Sequence, residues 1–480
     1  MRKIKLINRK GQVIIYVTLA VVVLILFVGL ALDSGIGYIV KTKLNSAVDA
    51  AAIAAGRGLS EGSNDAERQA NAEAAANKFF DANFPEGYMR AQVTSGPTIL
   101  TEKDAGGEWH ITVSATVVVP TYFLKIRDMN SFTASSTSEA LKRDVDMILV
   151  LDCSGSLASP PDGPSPPGTF TALKDAAKNF INNFSGGPGG DRIGLVAFAS
   201  GAVTSVQINT NSTRGFNKGD CTQGSYSYTD PNTICGAINA LTVGGATAGE
   251  EAMRRALAEL NEVEAGVRSS LRVIVFFSDG APNMVSGNYN NGGTIVLGDL
   301  YSETENCYPT GDPCGCGNPP CRLYRHDRRN TSLGSYGNIT VLPIADYTGT
   351  VPLASYNNRR TLSPPPGSAG SNTRCNLNKA ARNMVENVAN LARSDSDPIH
   401  VYTLGLGERL NSLEITFCSY GSEEYGANIL RRLANTPDSD TFHDLGNESK
   451  PSGLYVYAAN ASELDDAFQK IAAHIFRLTR

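Results

Sequence analysis

Oxygen-bearing side chains occur in three short segments of the chain, and each segment adjoins an apolar run or a predicted helix. The first is Asp152-Cys-Ser-Gly-Ser156, the second is Gly-Gly-Ala-Thr at 244–247, and the third is Ser-Asp-Gly at 278–280. Carboxylates and hydroxyls are hard oxygen donors, which suit Mg²⁺, Mn²⁺ or Ca²⁺ better than zinc. Two carboxylates do not over-neutralise a divalent ion, so one coordination position remains for an acidic group of a partner protein. The candidate metal ligands are Asp152, Ser154, Ser156, Thr247 and Asp279, with Thr242 as an alternative to Thr247.

An alternation of strands and helices from Val145 onward is expected to position these side chains. Strands are predicted at 145–152, 191–200, 271–283 and 398–407, with 202–208 as a hairpin partner of the second strand. Helices are predicted at 171–184, 248–263, 378–393, 427–435 and 462–476. This alternation predicts the α/β class, a doubly wound and mainly parallel sheet with helices on both faces. Ligands of such sheets bind beyond the carboxyl ends of the strands, where Asp152 and Asp279 stand.

The three segments, in this order and in this predicted topology, resemble the von Willebrand factor type A (VWA) domain and its metal-ion-dependent adhesion site. The resemblance covers residues 143–480, with insertions at about 209–236 and 284–377, and the first segment matches the family's D-x-S-x-S pattern. It implies that Ser154, Ser156 and Thr247 bind Mg²⁺, or Ca²⁺ or Mn²⁺, directly, and that Asp152 and Asp279 bind it directly or through water. The competing interpretation is an A-like fold with a vestigial site, in which Asp152 only caps a helix.

An uncharged apolar run of 19 residues, from Ile14 to Leu32, is nearly long enough to cross a bilayer as a helix. Five Lys and Arg residues precede it with no acid, so residues 1–13 are expected in the cytoplasm and the body of the chain outside. The alternative is a cleaved signal peptide, whose apolar region is normally shorter.

Net charge is −5, so the chain beyond its first eleven residues carries −10. A mildly acidic body does not fit a nucleic-acid-binding protein.

The segment after the apolar run keeps an apolar stripe at helical spacing and becomes rich in alanine up to about Ala82. A basic start, Gly11-Gln12, the apolar run and then LDSGIGYIVKTKLNSAVDAAAIAAGRGL at 32–59 resemble the N-terminus of the TadE/TadG-like proteins of tight-adherence (Flp) pilus assembly. Pilin-like members often have Glu five residues after the processing glycine, where this chain has Tyr16, which favours the anchored TadG-like branch. Residues 90–140 are rich in β-forming runs. Residues 33–140 are therefore predicted to form a helix with a small β-rich stalk domain.

Eight of the nine cysteines lie outside the first predicted strand-end loop, and Cys153 in that loop is predicted to be a small core residue. An even set beyond a membrane anchor favours disulfides, whose connectivity the sequence does not give. A zinc site is the alternative, but C-x-C-x₄-C lacks the paired C-x₂-C spacing of zinc knuckles. The insertion at 284–377 is polar and irregular, so cross-links are expected to order it. The candidate disulfide cysteines are Cys221, Cys235, Cys307, Cys314, Cys316, Cys321, Cys375 and Cys418.

These patterns predict a membrane-anchored, extracytoplasmic binding protein, with its body in the periplasm or on the cell surface. Its partner is expected to present an Asp or Glu that completes the metal coordination, and the resemblance implies the Tad pilus machinery or surface attachment. The alternative is a metal-independent envelope scaffold or minor pilus component. An enzyme is not expected, because the chain has no Gly-x-Ser-x-Gly elbow, no H-E-x-x-H motif and no phosphate-binding loop.

Overall fold

The computed structural model divides into two compact units, Met1–Lys142 and Arg143–Arg480. The residues that it describes are 10–59, 65–104, 108–158, 168–184, 186, 190–212, 214–301, 322–336, 339–354, 360–412, 425–444 and 446–478.

The first unit consists of two helices and a three-stranded antiparallel sheet. Its elements are α1 (Lys10–Gly58), α2 (Asp65–Asn83), β1 (Gln92–Lys103), β2 (Trp109–Pro120) and β3 (Ser131–Lys142), with strand order β1-β2-β3. Alternate residues of β2 are buried, from Trp109 and Ile111 to Val119, and they share one apolar core with α1 and α2. Period-two burial of this kind is typical of a sheet with one face on a core.

The alanine-rich stretch forms two helices, where the sequence predicted one helix as far as Ala82. α1 ends at Gly58 and α2 begins at Asp65. A Cβ atom on Gly58 would come within 2.6–2.8 Å of the backbone of Asn71 and Ala72, so the two helices approach closely where the chain turns back. The reversal lets both apolar stripes pack in the same small core, which a single helix of this length could not do.

The first half of α1 is long and apolar enough to cross a membrane, and it is the only such helix among the described residues. Nearly all described side chains between Val13 and Leu32 are exposed, and only Gly29 in this stretch is buried. An apolar helix that buries so little of its own surface in the protein is typical of a lipid-facing segment.

The second unit is built on a six-stranded sheet of order β13-β12-β7-β4-β5-β6, and the predicted α/β class is confirmed. Only the hairpin of β5 and β6 is antiparallel; all other neighbouring pairs are parallel. The strands of this sheet are β4 (Val145–Asp152), β5 (Arg192–Phe198), β6 (Ala202–Val206), β7 (Leu271–Ser278), β12 (Ile399–Leu406) and β13 (Tyr455–Ala458). The helices of the unit are α3 (Thr169–Asn182), α4 (Ile234–Ala240), α5 (Gly249–Glu262), α6 (Arg374–Arg393), α7 (Gly426–Ala434) and α8 (Leu464–Leu478).

The helices cover both faces of this sheet. Every residue of β4 is buried, and its side chains alternate between two apolar cores. Ile148 and Val150 lie in the core formed with α5, α6 and α7, whereas Met147 and Leu149 lie in the core formed with α3, α4 and α8. Burial on both faces explains why the strand has a continuous apolar sequence.

The insertion contains a second sheet, where the sequence predicted an irregular segment. Four antiparallel strands, β8 (Met284–Asn291), β9 (Thr294–Tyr301), β10 (Arg322–Tyr324) and β11 (Ser332–Ser335), have the order β11-β10-β9-β8. Tyr289, Leu300 and Leu323 are fully buried in the core that contains α5 and α6. Burial of large side chains therefore holds this sheet to the domain.

The predicted disulfide framework is confirmed in one pair, Cys221–Cys235. Cys375 is also disulfide-bonded. The other candidate cysteines lie outside the described residues: Cys307, Cys314, Cys316, Cys321 and Cys418.

Removing the Cys221–Cys235 bridge is expected to destabilise the protein measurably. The two cysteines are 14 residues apart in sequence, and closing a loop of that length restricts the unfolded chain by about 3 kcal/mol. Urea unfolding of the Cys221→Ala/Cys235→Ala chain should show a lower midpoint than the wild type. An unchanged midpoint would show that the bridge does not stabilise the fold.

Candidate metal centre

The two predicted carboxylate ligands lie side by side at the carboxyl edge of the main sheet. β4 ends at Asp152 and β7 ends at Ser278, immediately before Asp279. The strands are parallel neighbours in which Leu151 pairs with Phe277, so both acidic residues emerge at the same level. Asp152 is fully buried and Asp279 is 7% exposed. The topology thus brings together residues that are 127 positions apart in the chain.

The D-x-S-x-S segment forms hydrogen bonds to both carboxylates. Asp152 Oδ1 accepts the backbone N–H of Ser154 at 2.8 Å. The Ser156 hydroxyl donates to Asp279 Oδ1 at 2.8 Å, and the Ser154 hydroxyl lies 3.4 Å from the same oxygen. The two serine hydroxyls are 3.0 Å apart. Four of the five predicted ligand residues therefore belong to one hydrogen-bonded group.

Thr247 lies on a loop that is bonded to the same segment. Gly155 N–H donates to the Gly245 carbonyl at 2.9 Å, and Gly244 N–H donates to the Cys153 carbonyl at 2.8 Å. The backbone N–H of Thr247 donates to Asn283 Oδ1 at 2.8 Å, which ties it to the chain just after Asp279. Thr247 is buried between these two segments.

The alternative residue, Thr242, lies at the surface. Its side chain is exposed, and its carbonyl accepts a hydrogen bond from Arg329 at 2.9 Å. The arrangement therefore favours Thr247 over Thr242 as the fifth candidate ligand.

Two polar side chains that the sequence analysis missed hold the site in place. The Ser278 hydroxyl donates to Asp152 Oδ2 at 2.6 Å. Asn330, from the insertion, donates to the Gly244 carbonyl at 2.8 Å and accepts from Ser200 N–H at 3.2 Å. Ser278 could have been found from its position at the end of β7, but nothing in the sequence marks Asn330. Its contacts place this part of the insertion at the rim of the site.

The loop before α5 requires glycine at the point where Asn330 packs. Gly245 has φ +95°, and a Cβ atom there would lie 1.9 Å from Asn330 Oδ1. The left-handed conformation is costly for residues with a side chain, and here the space is also occupied. The insertion and the glycine pair therefore fix the path that leads to Thr247.

Replacing Asn330 by alanine is expected to weaken cation binding without unfolding the protein. The change removes the two hydrogen bonds that hold Gly244 and Ser200, each worth about 1 kcal/mol, so a loss of affinity of up to roughly thirtyfold is expected. Calorimetric titration with Mg²⁺ would measure the loss. Arg325→Ala, which removes an exposed pair with Asp327 on the same segment, is the matched control. Equal affinity in the two variants would contradict the assigned role of Asn330.

The two carboxylates of the site are buried close together, and burial favours their neutral form. Burial and the neighbouring Asp279 raise the pKa of Asp152 to about 7. Burial also raises the pKa of Asp279, although the Ser156 hydroxyl and the Arg409 charge oppose the shift. Within the described part of the chain, no Lys or Arg forms an ion pair with either carboxylate. Buried acids without a counter-ion, surrounded by hydroxyl oxygens, fit a hard divalent cation.

Cys153 is confirmed as a small core residue. Its side chain is fully buried and is not disulfide-bonded, and burial raises the pKa of its thiol to about 12. A thiol that stays protonated at neutral pH is a poor nucleophile. The one cysteine inside the candidate site thus contributes packing.

A second group of ligand-type side chains lies in the first unit. Asp104, Glu108 and His110 place one ligand atom each within 4.8 Å of one another. Asp104 and His110 are exposed and already bond to each other at 3.3 Å. Exposed groups of this kind are common on protein surfaces, and no further observation points to a ligand there.

Family models match two parts of the chain. Residues 147–281 match the von Willebrand factor type A domain, and residues 11–58 match the putative Flp pilus-assembly TadE/G-like family. The chain carries a TadE/G-like segment and a VWA domain. The five candidate ligand residues lie inside the part of the chain that matches the VWA domain, and the apolar half of α1 lies inside the TadE/G-like segment.

Solved structures to which the chain is similar include three pilus proteins. The pilus adhesin SpaC from Lactobacillus rhamnosus GG is 14% identical over 81% of this chain and 35% of its own, with a TM-score of 0.36. The vWF domain of the type V pili tip protein Mfa5 from Porphyromonas gingivalis is 16% identical over 71% of this chain and 97% of its own, with a TM-score of 0.36. A mutant of the PilB minor pilin from Streptococcus sanguinis is 14% identical over 81% and 79%, with a TM-score of 0.36.

TM-scores at this level carry no argument about the function of the VWA domain. The aligned part also spans only about a third of the SpaC chain. No curated protein matches the chain. The family matches and the geometry at Asp152 and Asp279 are therefore the basis for the function.

Proposed function

We propose that this protein is a TadG-like, single-pass membrane protein whose VWA domain binds an acidic side chain of a partner protein through a divalent metal ion. The process is pilus assembly or surface adhesion. The convergence of Asp152, Asp279 and the two serine hydroxyls carries the proposal. This site stands at the carboxyl edge of the sheet, where α/β proteins bind their ligands.

Each side chain of the site has a distinct role in this proposal. Ser154, Ser156 and Thr247 supply neutral hydroxyl oxygens, and the two carboxylates supply the negative charge. When bound, Mg²⁺, Mn²⁺ or Ca²⁺ supplies a positive centre with a coordination position for an Asp or Glu of the partner. The Ser278 hydroxyl and the Ser154 amide orient Asp152, as hydrogen bonds to metal-ligating carboxylates generally do.

The anchor and the cysteines support a position outside the cytoplasm. Five cations precede the apolar run, which favours a cytoplasmic N-terminus and an exported VWA domain. The Cys221–Cys235 disulfide fits an oxidising compartment, since such bonds are rare in the cytosol. The TadE/G-like segment links the anchored chain to pilus assembly. We propose binding rather than catalysis, since burial keeps the Cys153 thiol of the D-x-S-x-S segment protonated at neutral pH, which makes it a poor nucleophile.

An attachment assay with the full chain in its own cells tests this function. Cells that carry Asp152→Ala are expected to lose attachment or pilus assembly while the protein remains at its normal level in the membrane. EDTA should reproduce the defect in wild-type cells. The control is Asp438→Ala, which removes an exposed carboxylate of the same domain. Normal attachment by the Asp152→Ala cells would contradict metal-dependent binding and favour a metal-independent scaffold.

A further inference from the structure

A second group of buried acids lies where α5 packs on the inserted sheet. It contains four carboxylates, from Glu250, Glu251, Asp299 and Asp346, all of which are at most 4% exposed. The cationic side chains that face them are Arg254 and Arg255 of α5. His326 also lies near these arginines, and burial lowers its pKa, which favours the neutral ring. Fully ionised, the group therefore has two more negative charges than positive ones.

Two of the four carboxylates are fully engaged. Glu251 binds Arg254 Nη2 at 2.6 Å and Arg255 Nε at 2.7 Å. Asp346 accepts the backbone N–H groups of Thr350 and Val351, each at 3.0 Å, and the Thr348 hydroxyl. Glu250 has only a long contact with a cation, 3.9 Å from its Oε1 to Arg254 Nε, so most of the excess negative charge falls on Glu250 and Asp299.

Glu250 and Asp299 together present three buried oxygens without a hydrogen-bond donor. Glu250 Oε2 accepts the Ser286 hydroxyl, but Glu250 Oε1 has no hydrogen-bond partner. Neither oxygen of Asp299 has one, although the side chain is only 1% exposed. Ser286 on β8 and Asp299 on β9 are directly paired across the sheet, so Asp299 stands beside the serine that binds Glu250. Buried acceptors left without a donor are costly, and each calls for a partner.

We propose that Glu250 and Asp299, with the Ser286 hydroxyl, hold a second divalent cation. One such ion removes the excess of two charges and coordinates the three unpartnered oxygens, and an all-oxygen donor set suits Ca²⁺ or Mg²⁺. The site joins three elements, because Glu250 lies in the first turn of α5 and the other two residues come from neighbouring strands of the insertion. The ion thereby fastens the inserted sheet to α5, whose preceding loop carries Thr247.

Counting bound ions tests this proposal with the full chain in detergent. After removal of metals, equilibrium dialysis against Ca²⁺ or Mg²⁺ is followed by measurement of the bound ion. Asp152→Ala removes the adhesion site, so this chain should retain one cation. Adding Asp299→Asn should remove that cation, and adding Glu250→Gln in its place should do the same.

The outcomes separate the two sites. Asp299→Asn alone should keep one cation at the adhesion site, and Asp327→Asn, an exposed acid of the insertion, should change nothing. An Asp152→Ala chain that binds no cation, or that binds the same number with and without Asp299→Asn, would overturn the second site. Thermal unfolding of the Glu250→Gln chain provides an independent check. Ca²⁺ should raise the unfolding midpoint of this variant less than that of the wild type. An equal rise in the two chains would contradict the second site.

An independent observation concerns the connection between β2 and β3 in the first unit. The backbone N–H groups of Tyr122, Phe123 and Leu124 donate to the Asp33 carboxylate at 2.8–2.9 Å. Asp33 is the first charged residue after the apolar run 14–32. The connection is therefore tied to the end of the membrane-spanning segment.

Phe123 contacts α1 at Gly29, about one helical turn before Asp33. A Cβ atom on Gly29 would lie 2.5 Å from Phe123 Cβ, so the phenyl side chain packs directly on the helix backbone there. Gly29 precedes Asp33 by about one helical turn, or roughly 6 Å. Tyr122 and Met129 of the same connection are also exposed, by 45% and 55%. Apolar side chains at this depth face lipid when the helix spans the bilayer.

We infer that the β2–β3 connection inserts into the lipid surface beside the anchor, an inference that rests on the proposed membrane span. Fluorescence quenching by brominated lipids in proteoliposomes tests it. Trp109 is the only tryptophan and is buried, so a Trp109→Phe chain provides a dark background. Phe123→Trp and Met129→Trp in that background should each lose most of their emission to the brominated lipid.

A control inside the span separates the two possible failures. Val22→Trp should be quenched by the lipid whenever the anchor spans the membrane. Quenching of Val22→Trp but not of the two loop variants, with the loop tryptophans quenched by aqueous iodide instead, would overturn the loop insertion. No lipid quenching at any position would refute the membrane span and the loop insertion together.

Discussion

Replacing Asp152 by asparagine is expected to stabilise the metal-free protein at pH 8 and to reduce its stabilisation by Mg²⁺. Burial and Asp279 raise the pKa of Asp152 to about 7, from an ordinary value of 3.8. The folded state thus holds the proton more tightly than the unfolded chain. The resulting stability is complete below about pH 4 and is lost as the pH rises through about 7. Asparagine avoids this loss, which is on the order of 2–4 kcal/mol above pH 7.

Urea unfolding of the full chain in detergent, with and without Mg²⁺, measures both effects. Without metal, the variant should exceed the wild type at pH 8, and the difference should vanish near pH 4. Saturating Mg²⁺ should raise the stability of the wild type more than that of the variant, since an ion at a hundred times its dissociation constant adds about 2.7 kcal/mol to the wild type. Asp438→Asn, which changes an exposed carboxylate, should follow the wild type throughout. A variant that gains as much from Mg²⁺ as the wild type would show that Asp152 is not a ligand.

Replacing Glu386 by alanine is expected to cause the largest loss of stability outside the metal centre. Glu386 Oε1 binds Arg360 Nη2 at 2.8 Å and Arg432 Nη1 at 3.2 Å, and each of the three side chains is at most 4% exposed. Although burial opposes ionisation, the two arginines hold the pKa of Glu386 below its usual range, so the carboxylate is charged. Its removal leaves two guanidinium charges in the interior without the carboxylate that they share. Breaking a buried ion pair in this way costs about 3–5 kcal/mol.

The ion pair between Arg431 and Asp438 provides the comparison, because Arg431 lies on α7 beside Arg432 of the buried network. Arg431 binds Asp438 at 3.3 Å, and the two side chains are 34% and 70% exposed. Exposed pairs contribute about 0–1 kcal/mol, so Asp438→Ala should shift the urea midpoint little. Similar midpoints for Glu386→Ala and Asp438→Ala would contradict the importance of the buried network that joins α6 to α7.

Strands that are buried on both faces could be predicted closely from the sequence. β4 was predicted with both of its ends, and β7 with its start, because each is a continuous apolar run that ends at a polar residue. β13 was missed because it has only four residues and relies on pairing with β12. The inserted sheet was missed because β8 and β11 carry few apolar residues, and the core that accepts Tyr289 and Leu300 is formed by distant helices.

Most of the candidate ligand residues could also be predicted from the sequence. Asp152, Ser154, Ser156 and Asp279 follow from the order of strand-end segments, since parallel strands present their ends at one edge. The supporting contact of Asn330 with Gly244 spans 86 residues and is created by the fold of the insertion. The three unpartnered oxygens of Glu250 and Asp299 likewise arise only when α5 meets β8 and β9. Sequence patterns report local structure, whereas these contacts depend on tertiary packing.

The most direct test of metal binding at the carboxyl edge of the sheet is an anomalous difference map from crystals of the full chain grown with Mn²⁺. A peak is expected within coordination distance of the Ser154 and Ser156 hydroxyls and beside Asp279. The peak should disappear in crystals of the Asp152→Ala chain. Wild-type crystals that show these side chains clearly at saturating Mn²⁺, but have no peak between them, would contradict a divalent-metal adhesion site in this protein.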